Sequence, residues 1–459
     1  MTDPRASAIQ YANDHSKDFL DALQEFARIP SISADTAYRG DIARAADWVA
    51  TRLRMLGMKN VNIYPTAGNP VVYGEDLDAG GKAPTVLIYG HYDVQPPEPL
   101  EKWESAPFDP TVRGENLYSR GVSDMKGQVI AALAALESVM RTGSLPINVK
   151  VLIEGEEEVG SPSLEHFIPE HNDLLTCDAV LNPDAGMIAA DIPSITYGLR
   201  GLAYFELRIF GPSQDLHSGT FGGAIHNPAQ VLCELVAAMH DDNGRVTLPG
   251  FYAKVRPLDA EERGELARMP MDEAFFLRAS GAPALWGEAG YTAAERVGVR
   301  PTLEVNGLVS GYTGMGAKTV LPAYAMAKIS TRLVPDQQPN EIRGQLTRFL
   351  DAHAPKTVRW ELDDLLGGPA SISDRHSPAV QALAAAMETV WGKRPVFVRE
   401  GGSVPVVAQF QRHLGVDSVN TGFGLLDDGA HSPNEKLHLP TFHRGIQALI
   451  HFIFNLGMK

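Results

Sequence analysis

Five short segments carry side chains that can bind cations or move protons. The first is Gly90-His91-Tyr92-Asp93, directly after a β-rich run at 85–89. Ligands bind just beyond the carboxyl ends of strands in open α/β sheets. There His91 offers a neutral imidazole nitrogen, and Asp93 can hold the ring by accepting its other N–H. A histidine in a strand-end turn is the plain alternative. The second segment places Asp124 where a helix should begin. A carboxylate there either caps the helix or uses both oxygens to bridge two cations, because the two roles compete for the same lone pairs. The third is Glu154-Gly155-Glu156-Glu157-Glu158, with three adjacent acids at the end of a strand. Their repulsion at low dielectric calls either for a solvated loop or for a cation. Asp184 ends another strand, and His431 lies in the polar loop 427–435. Together these segments supply two imidazoles and at least three carboxylates. Mixed N/O donors suit zinc, with manganese or cobalt as alternatives. The donors outnumber the needs of one tetrahedral ion, so two ions are the natural count, an arrangement used for hydrolysis.

The elements that must position these side chains follow from periodicity. Ile42, Ala46, Val49 and Leu53 recur at helical spacing, and Gly57 is placed to end that helix. Strands are predicted at 61–64, 71–73, 85–89 and 149–153, and a helix at about 126–140. The run at 149–153 is apolar but for Lys150 and reads as a strand buried on both faces. This is the rhythm of an α/β sheet domain. The pattern changes near Gly198. Phe205, Leu207 and Ile209 alternate with Glu206 and Arg208; Ala327, Ile329, Thr331 and Leu333 alternate likewise. Helices around Leu232–Met239 and Ile342–Phe349 and a strand through Val358, Trp360 and Leu362 complete a small α+β domain. Gly367-Gly368-Pro369 marks its exit, after which the α/β rhythm resumes. The expected organisation is a catalytic domain in two parts, 1–198 and 371–459, interrupted by 199–370.

Composition narrows the function. Forty Lys and Arg against 56 Asp and Glu give a net charge of −16. Such a chain repels a polyphosphate backbone, so nucleic acid is not an expected partner. The longest purely apolar run, 129–136, is far short of the ~20 residues of a membrane span. The first residues lack the apolar stretch of a secretory signal. Two cysteines, Cys177 and Cys233, cannot staple a chain of 459 residues. A cytoplasmic location is expected.

Nine runs, in order from residue 90 to 436, resemble the di-zinc aminoacylase/carboxypeptidase superfamily of metallopeptidases, most closely its carnosinase-like cytosolic dipeptidases. They are GHYDVQPP, RGVSDMKGQ, EGEEEVGS, ITYGLRG, DLHSGTFGG, GAKTVLP, STRLVP, REGGSVP and DDGAHSPNEK. The resemblance implies a mixed-sheet catalytic domain with an inserted, ferredoxin-like α+β lid that also makes a homodimer. It implies two zinc ions bridged by Asp124, with His91 and Glu158 on one and His431 and Asp184 on the other. Glu157 would be the general base, and Asp93 would orient His91. His217 would reach into the partner's site to stabilise the oxyanion. Arg332, Thr319 and Ser403 would contact the substrate carboxylate. A cis peptide bond is expected between Asp124 and Met125. The implied reaction is hydrolysis of a dipeptide or short peptide, with N-acyl or N-carbamoyl amino acids as the alternative substrates. One departure stands out: animal carnosinase-type members carry a histidine just before the Gly-Gly of the lid exit, and here it is Leu366. That loses a polar substrate contact and counts against carnosine itself.

Overall fold

The computed structural model describes residues 3–402 and 404–458. The chain divides into two compact units: Met1–Tyr197, Ser373–Val398 and Val406–Lys459 form one, and Gly198–Ile372 with Arg399–Pro405 form the other. The short segment Arg399–Pro405, between two parts of the first unit, thus belongs with the second.

The first unit is built on a mixed sheet. Its strands run in the order Lys59–Tyr64, Val71–Asp76, Asn148–Glu154, Thr85–His91, Ala179–Asn182, Ser418–Asn420 and Ser194–Leu199, and Val396–Glu400 pairs with the last of these. The central pairs are parallel: Thr85–His91 lies between Asn148–Glu154 and Ala179–Asn182, with Ser418–Asn420 next. Every residue of Asn148–Glu154 is buried, including Lys150, whose Nζ donates to the carbonyls of Leu174 and Thr176 at 2.7 Å each. Parallel neighbours place their carboxyl ends at one edge, which is where the acids and imidazoles stand.

Helices cover the sheet. In Arg39–Leu56 the buried residues Ile42, Ala45, Ala46, Val49, Leu53 and Leu56 keep one face inward. Gly57 ends this helix at φ +93°, a left-handed conformation that costs glycine nothing. Helix Gly127–Thr142 is buried along most of its length and packs against Leu439–Gly457. It begins at Gly127, three residues beyond Asp124, and its N-terminus has no side-chain cap. Asp124 is therefore not a helix cap, and its oxygens are committed elsewhere.

The second unit has a four-stranded antiparallel sheet in the order Thr302–Ser310, Tyr324–Leu333, Gly201–Phe210, Arg359–Gly368. Gly201–Phe210 alternates strictly between buried and half-buried. Its inward residues Phe205, Leu207 and Ile209 form one core with Ala327 and Ile329. Leu232, Leu235, Leu346 and Phe349 of helices Pro228–Ala238 and Pro339–His353 close that core. In chain order the unit reads β-α-β-β-α-β. Strand Thr302–Ser310 was not expected from the sequence. It is an edge strand with a register shift between Val305 and Gly307, and its alternation breaks at Leu308 and Val309, which are both exposed.

Candidate metal centre

The first unit brings His91, Asp124, Glu158, Asp184 and His431 together. His91 ends its strand fully buried, and its Nδ1 lies 3.0 Å from the main-chain oxygen of Asp93. A carbonyl can only accept, so Nδ1 carries the proton and Nε2 is left with a lone pair. That Nε2 is 3.2 Å from Asp124 Oδ1 and 3.8 Å from Asp184 Oδ1. The other carboxylate oxygen of Asp124 is 2.9 Å from His431 Nε2, which is also 3.2 Å from Glu158 Oε2. The ligand atoms of His91, Asp124 and Asp184 lie within 4.8 Å of one another, and so do those of Asp124, Glu158 and His431. Asp124 belongs to both groups. The peptide bond between Asp124 and Met125 is cis.

The grouping corrects the expected pairing. His91 stands with Asp184, not Glu158, and His431 with Glu158, not Asp184. The strands ahead of both acids flank that of His91 in parallel, so the difference lies in how far each acid stands beyond its strand. The strand ending just before Asp184 pairs in parallel with the strand of His91. Glu158 instead sits on the turn Glu157–Val159, beyond the end of its own strand.

The role of Asp93 also differs in detail. Its main-chain oxygen is the nearer acceptor for His91, with Oδ1 at 3.4 Å. Its carboxylate accepts the backbone N–H groups of Glu157 (3.2 Å) and Glu158 (3.1 Å). Asp93 thus pins the turn that presents both acids. Gln95 was given no role from sequence, although it lies within GHYDVQPP. Its Nε2 donates to the carboxylate of Glu158 at 2.9 Å and to that residue's carbonyl at 3.2 Å.

Electrostatics show a cage short of positive charge. Burial pushes the Asp184 and Glu158 carboxyls up, and neighbouring acids add to this. Glu157 rises to about 9, first through burial and then through Asp184. Burial alone would lower the pKa of His91, but hydrogen bonds to Asp124, Asp184 and Asp93 carry it well above the ordinary value. Among the described residues the only ion-pair partners of Asp124, Glu158 and Asp184 are the two histidines. Three carboxylates and two imidazoles with no lysine or arginine to balance them fit divalent cations.

The remaining expected site residues lie in the second unit, and Ser403 lies outside the described residues. His217 pairs with Val320, and the N–H of Ser218 donates to the carbonyl of Thr319 at 3.0 Å. The runs DLHSGTFGG and GAKTVLP are therefore neighbours. The N–H of Gly219 donates to His217 Nδ1 at 3.0 Å, so in the neutral ring the proton is on Nε2. Arg332 lines a cavity of about 390 Å³ in this unit, with Arg200, Trp286, Glu304 and Ser330. Burial, and then the charge of Arg332, lower Arg200 to about 10.

The chain resembles known proteins along most of its length. The model of peptidase family M20/M25/M40 matches residues 87–455. The Cys-Gly metallodipeptidase DUG1 of Candida albicans is 32% identical over 461 residues, covering 96% of this chain and 94% of the relative. The crystal structure of the M20 family metallo-carboxypeptidase Sso-CP2 from Sulfolobus solfataricus is 34% identical. It superposes with a TM-score of 0.84 over 96% of this chain and 99% of that one. Human carnosine dipeptidase 1 superposes with a TM-score of 0.80 at 29% identity over 99% of both chains. With these matches and a site fit for divalent cations, the chain belongs to peptidase family M20/M25/M40 and is a metal-dependent peptide hydrolase.

Proposed function

We propose that the protein hydrolyses dipeptides and short peptides, releasing a C-terminal amino acid, with two divalent ions held by His91, Asp124 and Asp184 and by Asp124, Glu158 and His431. One observation carries this reading: each oxygen of Asp124 faces a different imidazole. The donor set favours zinc, with manganese and cobalt as alternatives. When bound, such ions polarise the scissile carbonyl and acidify a water.

The chain's own residues do the rest. Glu157, beside Glu158 but outside both ligand groups, takes the proton of the attacking water and returns it to the leaving amine. Asp93 holds Glu157 in place through its backbone. His217, with the proton on Nε2, donates to the developing oxyanion. Arg332, with Thr319 and Ser403, grips the free carboxylate of the substrate. The two like charges at Arg200 and Arg332 suit an anion there. No covalent intermediate is needed.

The second unit, whose β-α-β-β-α-β order is that of ferredoxin-like domains, acts in this reading as lid and dimerisation domain. Its boundaries are near 199 and 370. Its exposed Leu308, Val309 and Met315 support a homodimer through this unit. The location is cytoplasmic; no described helix is long and apolar enough to cross a membrane, and both cysteines are unpaired thiols. Leu366 is exposed on strand Arg359–Gly368 and offers no polar group, so carnosine is not the preferred dipeptide.

The test is a panel of free dipeptides set against N-acetyl and N-carbamoyl amino acids, with metal analysis of the same sample. Dipeptide turnover with two ions per chain is expected. Preference for the acylated amino acids would overturn the substrate assignment. Glu157→Gln should keep the ions and lose about 10²–10⁴-fold in kcat, because it removes the base and spares the ligands. Unchanged turnover would remove Glu157 from that role.

A further inference from the structure

The turn that carries Asp124 and the loop that carries His431 are joined by one carboxylate that touches neither ligand side chain. Glu435 is completely buried, as is its partner Arg120. Its Oε1 accepts the backbone N–H groups of Ser123 (2.9 Å) and Asp124 (3.1 Å). Its Oε2 accepts the N–H of Gly121 (2.8 Å) and Nη1 of Arg120 (2.8 Å). Four donors therefore converge on a single side chain, three of them from the backbone of 121–124.

The loop that supplies this carboxylate is also tied elsewhere: Asn434 Oδ1 accepts the N–H of Glu104 at 2.9 Å, and its Nδ2 donates to the carbonyl of Lys102 at 2.8 Å. His431 and Asn434 sit at φ +63° and +62°, in the left-handed region that non-glycine residues adopt only when the surroundings impose it. Two further ties flank Glu435. Its own carbonyl accepts the N–H of Ser119 at 3.1 Å, and Asp428 accepts from Ser123 Oγ at 2.9 Å and from Lys436 Nζ at 2.9 Å. Asp428 grips the side chain of Ser123. Glu435 grips the backbone N–H of Asp124 itself. The residue that anchors the shared carboxylate thus belongs to the loop that presents the second imidazole, four positions along.

We propose that Glu435 is a positioning residue for the ion centre: it fixes the separation of Asp124 from His431, and with it the affinity for the ion held by Asp124, Glu158 and His431. This rests on the two-ion reading above. Removing an outer partner of a metal ligand lowers affinity by about 10–100-fold. The loss should fall on the ion of His431 far more than on that of His91, whose strand and main-chain anchor Glu435 does not touch.

The experiment uses the full-length protein, titrated with Zn²⁺ against a competing chelator at fixed pH. His91→Ala and His431→Ala assign the two binding steps of the wild type. In Glu435→Gln an amide NH₂ replaces one acceptor and confronts donors from Arg120, Gly121, Ser123 or Asp124. The step assigned to His431 should weaken about 10–100-fold and the other much less, with kcat falling and KM nearly constant. Glu435→Asp keeps the charge opposite Arg120 and shortens the reach; it should shift the same step and is the variant to read if Glu435→Gln does not fold. A folded variant with both steps unchanged would overturn the proposal. So would equal weakening of both steps together with a lower Tm, which makes Glu435 a general buttress. A single step in the wild type would sink the two-ion reading instead; the proposal then stands or falls on whether that step weakens in the variants.

Discussion

Asp124 is half-buried, and desolvation alone would raise its pKa; the two imidazoles reverse this and hold it below the usual carboxylate range. The same contacts act on His431. Its hydrogen bonds to Asp124 and Glu158 raise it to about 10 against a smaller loss from burial. In the metal-free protein His431 is therefore protonated at neutral pH. A cation needs that lone pair, so binding must release a proton, and affinity must rise with pH until His431 has titrated. Calorimetric titration at pH 7 in buffers of different ionisation enthalpy should reveal net proton release that shrinks towards pH 10. Release that does not vary with pH would count against the His431 site. The shift also supports the metal-free fold. A histidine raised in the folded state contributes its full stabilisation below about pH 6.5 and loses it as pH rises through about 10. The five candidate ligand residues were legible because each occurs in a motif run and the runs follow one order along the chain. Glu435 and Gln95 were not, although both lie inside those runs. Much of what they hold is backbone, and no pattern of side chains announces that.

The strand ends act as fixed mounts, and their spacing leaves little slack. Gly155 precedes the acids of the Glu157–Val159 turn, and a Cβ there would come within 2.3 Å of the Tyr92 ring and hydroxyl. Tyr92 is buried, and its hydroxyl donates to the carbonyl of Pro70 at 2.6 Å. Gly155→Ala must displace either the ring or the turn. It should cost about 1–3 kcal/mol in urea unfolding and lower kcat along with it. A variant as stable and as active as the wild type would show that this turn can yield. Most strands and helices were readable from periodicity, since Gly201–Phe210 and Arg39–Leu56 each bury one clear face. Thr302–Ser310 was not, because Asn306-Gly307 interrupts it and the exposed Leu308 and Val309 break its alternation after a few residues. Which acid shares a group with which imidazole was equally hidden. Motif order follows the chain, whereas the grouping depends on how the loops beyond the strand ends fold back, which only the folded protein shows.

At the scale of the whole molecule, the proposed function divides chemistry and substrate capture between two units. His91, Asp124, Glu157, Glu158, Asp184 and His431 belong to the first, and His217, Thr319 and Arg332 to the second. If His217 serves the partner's site, subunits inactivated by Glu157→Gln and by His217→Ala should complement each other. Mixed dimers then contain one site with both residues intact. Partial recovery of turnover after mixing is expected. No recovery, with mixed dimers shown by mass spectrometry, would place His217 in its own subunit's site. Sequence alone offered this division only through the change of rhythm near Gly198; Arg399–Pro405 joins the second unit through a spatial return that no local pattern encodes.

The first unit is interrupted in sequence, and this governs how it can be made. On the ribosome, His91, Asp124, Glu158 and Asp184 emerge before any of the second unit, whereas His431 emerges only after all of it. A nascent chain therefore holds the complete His91 triplet while Asp124 still lacks its other imidazole. Glu435, the clasp for that same aspartate, is translated later still. The ion pocket is finished from its far end, by a stretch of polypeptide made only after the whole second unit.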